Sequence, residues 1–100
     1  MSTFAVTFSL KHDSTWTERY NSFMAEVRKN SKVWEETTSF CLVSTSEALD
    51  SFERRLFLTQ FDPSKDTMLV IDVTADHCIG RGNIKYPSTL RSLMPNVIVK

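Results

Sequence analysis

An α+β sandwich, a sheet carrying two helices on one face, is the fold class that this 100-residue chain predicts. Three observations carry that reading. Phe4, Val6, Phe8 and Leu10 alternate with Thr3, Ala5, Thr7 and Ser9, the period of two of a half-buried strand. Trp16, Tyr20, Phe23, Met24 and Val27 recur at helical spacing, and so, further on, do Leu49, Phe52 and Leu56. Asp66-Thr67-Met68-Leu69-Val70-Ile71-Asp72-Val73 holds an unbroken Leu69-Val70-Ile71 run, whose length and upstream Pro63 favour a buried strand over a helix.

The elements follow in chain order. Lys11-His12-Asp13-Ser14 is a polar connector, and Thr15 and Glu18 have the spacing of a capping box at the start of the first helix. Arg28 and Lys29 suit the negative end of that helix, with Asn30 as its stop. Val33-Trp34 and Phe40-Cys41-Leu42-Val43 are β-branched or aromatic runs around the polar Glu35–Ser39. They predict two strands, or one long strand broken by a bulge. No Asn-Gly or Asp-Gly marks a tight turn between them. Ser44 and Glu47 repeat the capping-box spacing before the second helix, whose outer side carries Asp50, Glu53 and Arg54. Gln60–Lys65, with Pro63, ends it. Beyond the 66–73 strand, residues 74–83 hold both glycines and read as an exposed loop. Ile84–Pro87 reads as a short extended piece, Ser88–Met94 as a helical turn and Val97–Val99 as a last edge strand.

Strand, helix, strand, strand, helix, strand is the order of a ferredoxin-like βαββαβ sandwich with an antiparallel sheet. Residues 3–73 form its core and 74–100 a C-terminal loop and extension, all within one domain spanning 1–100. Phe40/Leu42 and Cys41/Val43 point to opposite faces, as do Met68/Val70 and Leu69/Ile71. With both faces apolar, the second is expected to be covered by a dimer partner or by residues 84–99.

Composition narrows the function classes. Twelve basic and twelve acidic residues cancel, which excludes a uniformly basic nucleic-acid binder but leaves room for a local patch. Two cysteines, Cys41 and Cys78, make no disulfide framework, and no second Cys or His lies at metal-ligand spacing from Cys41. The first residues lack the pattern of a secretory signal, and no apolar run approaches the ~20 residues of a membrane span. The expectation is a cytoplasmic protein with no membrane contact.

Element order and several residues resemble a known group: small ferredoxin-like proteins related to the CRISPR-associated spacer-acquisition subunit and to VapD-type ribonucleases. Phe4–Leu10, the aromatic helix, Val33-Trp34 with Thr38-Ser39-Phe40, Leu49–Leu56 and Asp66–Ile71 carry the likeness, over about residues 3–73. The resemblance implies a symmetric homodimer and, in some members, metal-dependent cleavage of nucleic acid. Such members carry Tyr-Asp at the end of the first strand, the aspartate holding a divalent ion. The matching pair here is Phe8-Ser9, and a serine hydroxyl does not replace an anionic oxygen on a hard cation. The expected function is therefore binding of RNA, DNA or a protein partner, without the group's usual catalysis and without a cofactor. A nuclease using a shifted carboxylate such as Asp13, with Mg²⁺, is the first alternative. A structural or antitoxin-like interaction module is the second.

Each candidate for chemistry has a plainer reading. His12-Asp13 has the residue types of a general base and its orienter, but adjacent side chains rarely aim at one point, and a solvated loop accounts for both. Asp66 and Asp72 share a strand face but stand roughly 20 Å apart at ~3.3 Å per residue, too far for one ion. A strand-end turn accounts for Asp66, and a polar or interface position for Asp72. Asp76-His77-Cys78 has the residue types of a nucleophile and base, yet three consecutive loop residues fan outward. Gly80-Arg81-Gly82-Asn83 has amides and a guanidinium for phosphate, yet lacks the lysine and strand–helix context of a nucleotide loop. Cys41 reads as core, and Trp16/Tyr20/Phe23 as core before a stacking platform. Residues 77–100 contain Arg81, Lys85, Arg91 and Lys100 and no acid. Convergence of these with Lys11, Arg28, Lys29 and Lys32 in a dimer would make a phosphate-binding surface, with Arg81, Lys85 and Arg91 as its candidates.

Overall fold

A computed structural model describes all 100 residues. The elements are β1 (Ser2–Ser9), α1 (Trp16–Val27), β2 (Lys32–Trp34), β3 (Phe40–Thr45), α2 (Leu49–Phe57), β4 (Thr67–Asp72), β5 (His77–Gly80), α3 (Pro87–Leu93) and β6 (Asn96–Val99). The first four strands form one sheet in the order β2-β3-β1-β4, with every neighbouring pair antiparallel. β5 and β6 form a separate parallel pair joined through α3.

The period of two along β1 decides what lies on each face. Phe4, Val6 and Phe8 share one face with Val43 and Cys41 of β3, opposite them or one pair along, and with Val70 and Met68 of β4. That face packs against Phe23, Met24 and Val27 of α1 and Phe52 and Leu56 of α2, giving an eleven-residue core. Phe4 and Phe52 meet with ring centroids 5.3 Å apart, Phe8 and Phe23 at 4.9 Å. Each fully buried side chain of this size contributes about 1.5–3 kcal/mol, so this layer dominates stability. Arg55 ties the two helices at the layer's rim, binding the Glu47 carboxylate, the Glu26 carbonyl and the Asn30 amide oxygen.

The opposite face carries Ala5, Leu42 and Trp34, and Leu90, Leu93 and Met94 at the α3 end of the chain cover them. The C-terminal extension therefore covers part of the second face, as one of the two sequence expectations had it. It is fastened by polar contacts as well. The Thr3 hydroxyl donates to the Leu93 carbonyl at 2.9 Å, and Glu36 accepts from the amides of Lys85 at 2.6 Å and Tyr86 at 3.0 Å.

Four expectations need correction. The 66–73 run is not a buried strand: β4 lies at the edge of the sheet, with Leu69 58 % and Ile71 44 % exposed. An apolar run reports β-propensity and cannot report which strand takes the middle of a sheet, which depends on the order of pairing. Neither capping box forms. The Thr15 hydroxyl serves Asp13 and Arg19 instead of a backbone amide, and Ser44 lies inside β3, leaving Ala48 at the cap of α2. The expected loop at 74–83 contains β5, and Gly80 is a strand residue against Ile84 and Leu90; only Gly82, at φ +105°, needs glycine's freedom. Finally, β6 pairs with β5 in its own small sheet and does not extend the edge of the main one.

Candidate functional site

Three places concentrate chemistry: a buried ion cluster at the start of α1, a cleft on the second sheet face, and the free edge of β4.

The cluster centres on Arg19, which is 4 % exposed. Its guanidinium donates to Asp66, to Asp13 at 2.9 Å and to the Lys11 carbonyl at 2.6 Å, while its Nε donates to the Thr15 hydroxyl. Asp66 also accepts from the amides of Lys11 and Asp62, both at 3.0 Å. Burial pushes the Asp66 carboxyl up, but the Asp62 amide, the Arg19 guanidinium and the Lys11 amide outweigh it and hold it below the carboxylate range. Lys65, at 2.9 Å, together with Arg19 and Thr15, holds Asp13 strongly ionised. Its oxygens are thus spent on cations and on the Thr15 turn. His12 does not join it; its ring stacks on Trp16 at 4.4 Å, and Trp16 stacks on Tyr20 at 4.9 Å. His12 and Asp13 diverge, as adjacent side chains tend to. Asp66 is no simple turn residue, and Arg19 had no signal in the sequence beyond standing on the helix four residues after Thr15. Buried charges are paired, and only the fold shows which ones are buried.

Ser9 ends β1 opposite Thr67, exposed. No three His, Cys, Asp or Glu side chains converge as a metal-holding group. Asp72 accepts from the amide and hydroxyl of Thr74 in the turn after β4. Arg28 and Lys29 pair with Glu35 and Glu26. Arg81, Lys85 and Arg91 are exposed, and none of them takes part in an ion pair.

The cleft, of 630 Å³, lies between the second sheet face and the C-terminal unit. Ala5, Phe40, Leu42 and Ile71 supply its floor; Cys78, Ile84, Leu90 and Val97 are among its walls. Burial raises the Cys78 thiol pKa, and it pushes Cys41, deep in the main core, up to about 12. Neither thiol is an activated nucleophile, so Asp76-His77-Cys78 does not have the electrostatics of a thiolate site. Those three residues sit at the entry to β5, with Asp76 and His77 exposed at the cleft mouth.

At the third place, Leu49 and Phe57 of α2 and Leu58, which caps it, flank Met68, Leu69 and Val70 of β4 in a groove of 700 Å³. Leu58 is 69 % exposed and Phe57 42 %. No family model, curated protein or solved structure matches the chain. The functional reading therefore rests on these three places. No helix is long and apolar enough to cross a membrane.

Proposed function

We propose that this chain is a ferredoxin-like interaction module whose partner is a second copy of itself, joined through the free edge of β4. The observation that carries the proposal is that an apolar strand lies open at the edge of the sheet, with Leu69 and Ile71 exposed and Leu58 and Phe57 beside Leu69. Edge strands are usually blunted by lysine or proline, and Thr67–Asp72 contains neither. An apolar edge left open in this way is a pairing surface.

The strand is suited to itself. An antiparallel pair about Val70 would set Leu69 against Ile71 of the second copy on one face, and Met68 against Asp72 on the other. The net charge of zero opposes no such approach. The order β2-β3-β1-β4, with α1 and α2 on one face, supports the ferredoxin-like reading. Kinship with the CRISPR-adaptation and VapD group rests on that order and on the residue pattern over about 3–73, and the dimer does not depend on it. Engagement of Asp13 by Arg19 and Lys65, with Ser9 at the end of β1, favours binding over cleavage.

Sedimentation equilibrium tests the proposal. The native chain is expected to dimerise, and Leu69→Lys, an exposed position, to be monomeric with an unchanged circular dichroism spectrum. A native chain that stays monomeric at several hundred micromolar would contradict it. A second reading has its own observation: Arg81, Lys85 and Arg91 carry no acidic partner on the C-terminal unit. Binding of RNA or DNA there would weaken with salt, and removing one phosphate contact would lower the log–log slope by about 1. No binding at low salt would remove that reading. Mg²⁺-dependent cleavage lost in Asp13→Ala would instead establish the nuclease alternative.

A further inference from the structure

The cleft between the main sheet and the C-terminal unit has the size and lining of a small-molecule site. Its 630 Å³ falls within the roughly 300–1,000 Å³ of such pockets. Apolar side chains line most of it, and Ala5 sits in its floor, between Leu42 on β3 and Ile71 on β4 across the sheet. A methyl at that point leaves space that a larger residue would fill.

The polar groups of the mouth decide what ligand would fit. Arg81 follows β5 directly and stands with Asn83 at one end of the cleft, exposed and without an ion-pair partner. Glu36 also lines the cleft, but its two oxygens accept from the Lys85 and Tyr86 amides and from the Trp34 indole N–H at 2.7 Å. Those donors occupy its oxygens and hold it ionised, so it offers the ligand no acceptor and adds a negative charge on the Trp34 side, away from which the head must lie. Asp76 precedes β5, five residues before Arg81. Along an extended strand this is ~16 Å at ~3.3 Å per residue, so the carboxylate belongs to the far end of the cleft. A compact zwitterionic head, with its two charges only a few bonds apart, does not span the ~16 Å between Arg81 and Asp76. A guanidinium is a planar fork that matches a carboxylate with two parallel hydrogen bonds. Asp76 at the far end repels a second negative charge.

We propose that this cleft binds an amphipathic monocarboxylate, its apolar body on Ala5, Phe40 and Leu42 and its head on Arg81. The cleft shares Ile71 with β4, but Arg81, Ala5, Phe40 and Leu42 all lie off that strand, and the binding test does not require the dimer.

Decanoate is the probe, titrated below its micellar range against the full chain and read by the fluorescence of Trp34, which lines the cleft, and by calorimetry. The expected result is saturation at one site per chain. Affinity should be weaker by about tenfold in Arg81→Gln, the scale of one charge-assisted contact, and unchanged in Lys85→Gln. Decylammonium should not bind, and decanedioate should bind less tightly than decanoate. A further variant, Ala5→Leu, should abolish binding by filling the floor. Should it fail to fold, protection of Cys78 from alkylation by saturating decanoate in the native chain gives the same information. No binding of decanoate would overturn the proposal. Equal binding of decanoate, decanol and decylammonium, indifferent to Arg81→Gln, would overturn it too.

Discussion

Asp66 shows what a single side chain does in this fold. It anchors the start of β4 to the start of α1 through Arg19 and the Lys11 and Asp62 amides, with its own side chain fully buried. Replacing Asp66 by Asn removes a buried charge from its partners and is expected to destabilise the chain by about 3–5 kcal/mol, measured by urea unfolding. Its folded pKa lies below the unfolded value near 3.8. The stabilisation is therefore complete above about pH 5 and is lost as pH falls below about 4 and through the lowered folded value. A Tm–pH profile should drop on the acid side, and Asp66→Asn should flatten that drop. The two thiols give a second test at this scale. Iodoacetamide should label half-buried Cys78 slowly, and Cys41 only on unfolding, because burial keeps both protonated. Early labelling of Cys41 would show that the main core opens more easily than its packing implies.

At the scale of elements, periodicity read well wherever packing alone set the structure. The alternation of Phe4, Val6 and Phe8 and the helical spacing of Phe23, Met24, Val27, Phe52 and Leu56 do line the core. Phe52→Ala, which empties a fully buried position against Phe4, should cost about 3–5 kcal/mol in denaturant unfolding. Reading failed where an element depends on residues distant in sequence. The Thr15–Glu18 and Ser44–Glu47 spacings fit capping boxes, but Asp13 and Arg19 claim the Thr15 hydroxyl, and β3 runs through Ser44. β5 was illegible because four residues containing a glycine carry no period; only the partner strand β6 makes them a strand. Glu36, in the polar stretch between β2 and β3, gave no sign of holding Lys85 and Tyr86 in place. Glu36→Gln should loosen that attachment, with amide exchange over residues 84–94 faster by roughly tenfold, the factor of one charge-assisted hydrogen bond. Unchanged exchange there would mean that the apolar contacts of Leu90, Leu93 and Met94 alone hold the C-terminal unit.

For the molecule as a whole, the two faces of the sheet have separate fates. One is closed by α1 and α2, and the other is closed by α3 only over β1, β2 and β3, leaving Leu69 and Ile71 of β4 open. That both faces of β4 are apolar was legible in the alternation of Met68/Val70 with Leu69/Ile71. That β4 is an edge was not, because strand order is a property of the whole chain. The candidate site followed the same division. Arg81 stood out as a cation in an acid-free tail, while the cleft beside it is made by Ala5, Phe40 and Leu42 from strands far away in sequence. Dimerisation requires that the β4 edge be paired in solution. Hydrogen exchange of residues 67–72 at low and at high protein concentration measures this directly. Dimerisation through β4 predicts protection that grows with concentration in this strand and not in β2, the opposite edge. Exchange of β4 that is fast and independent of concentration would contradict it.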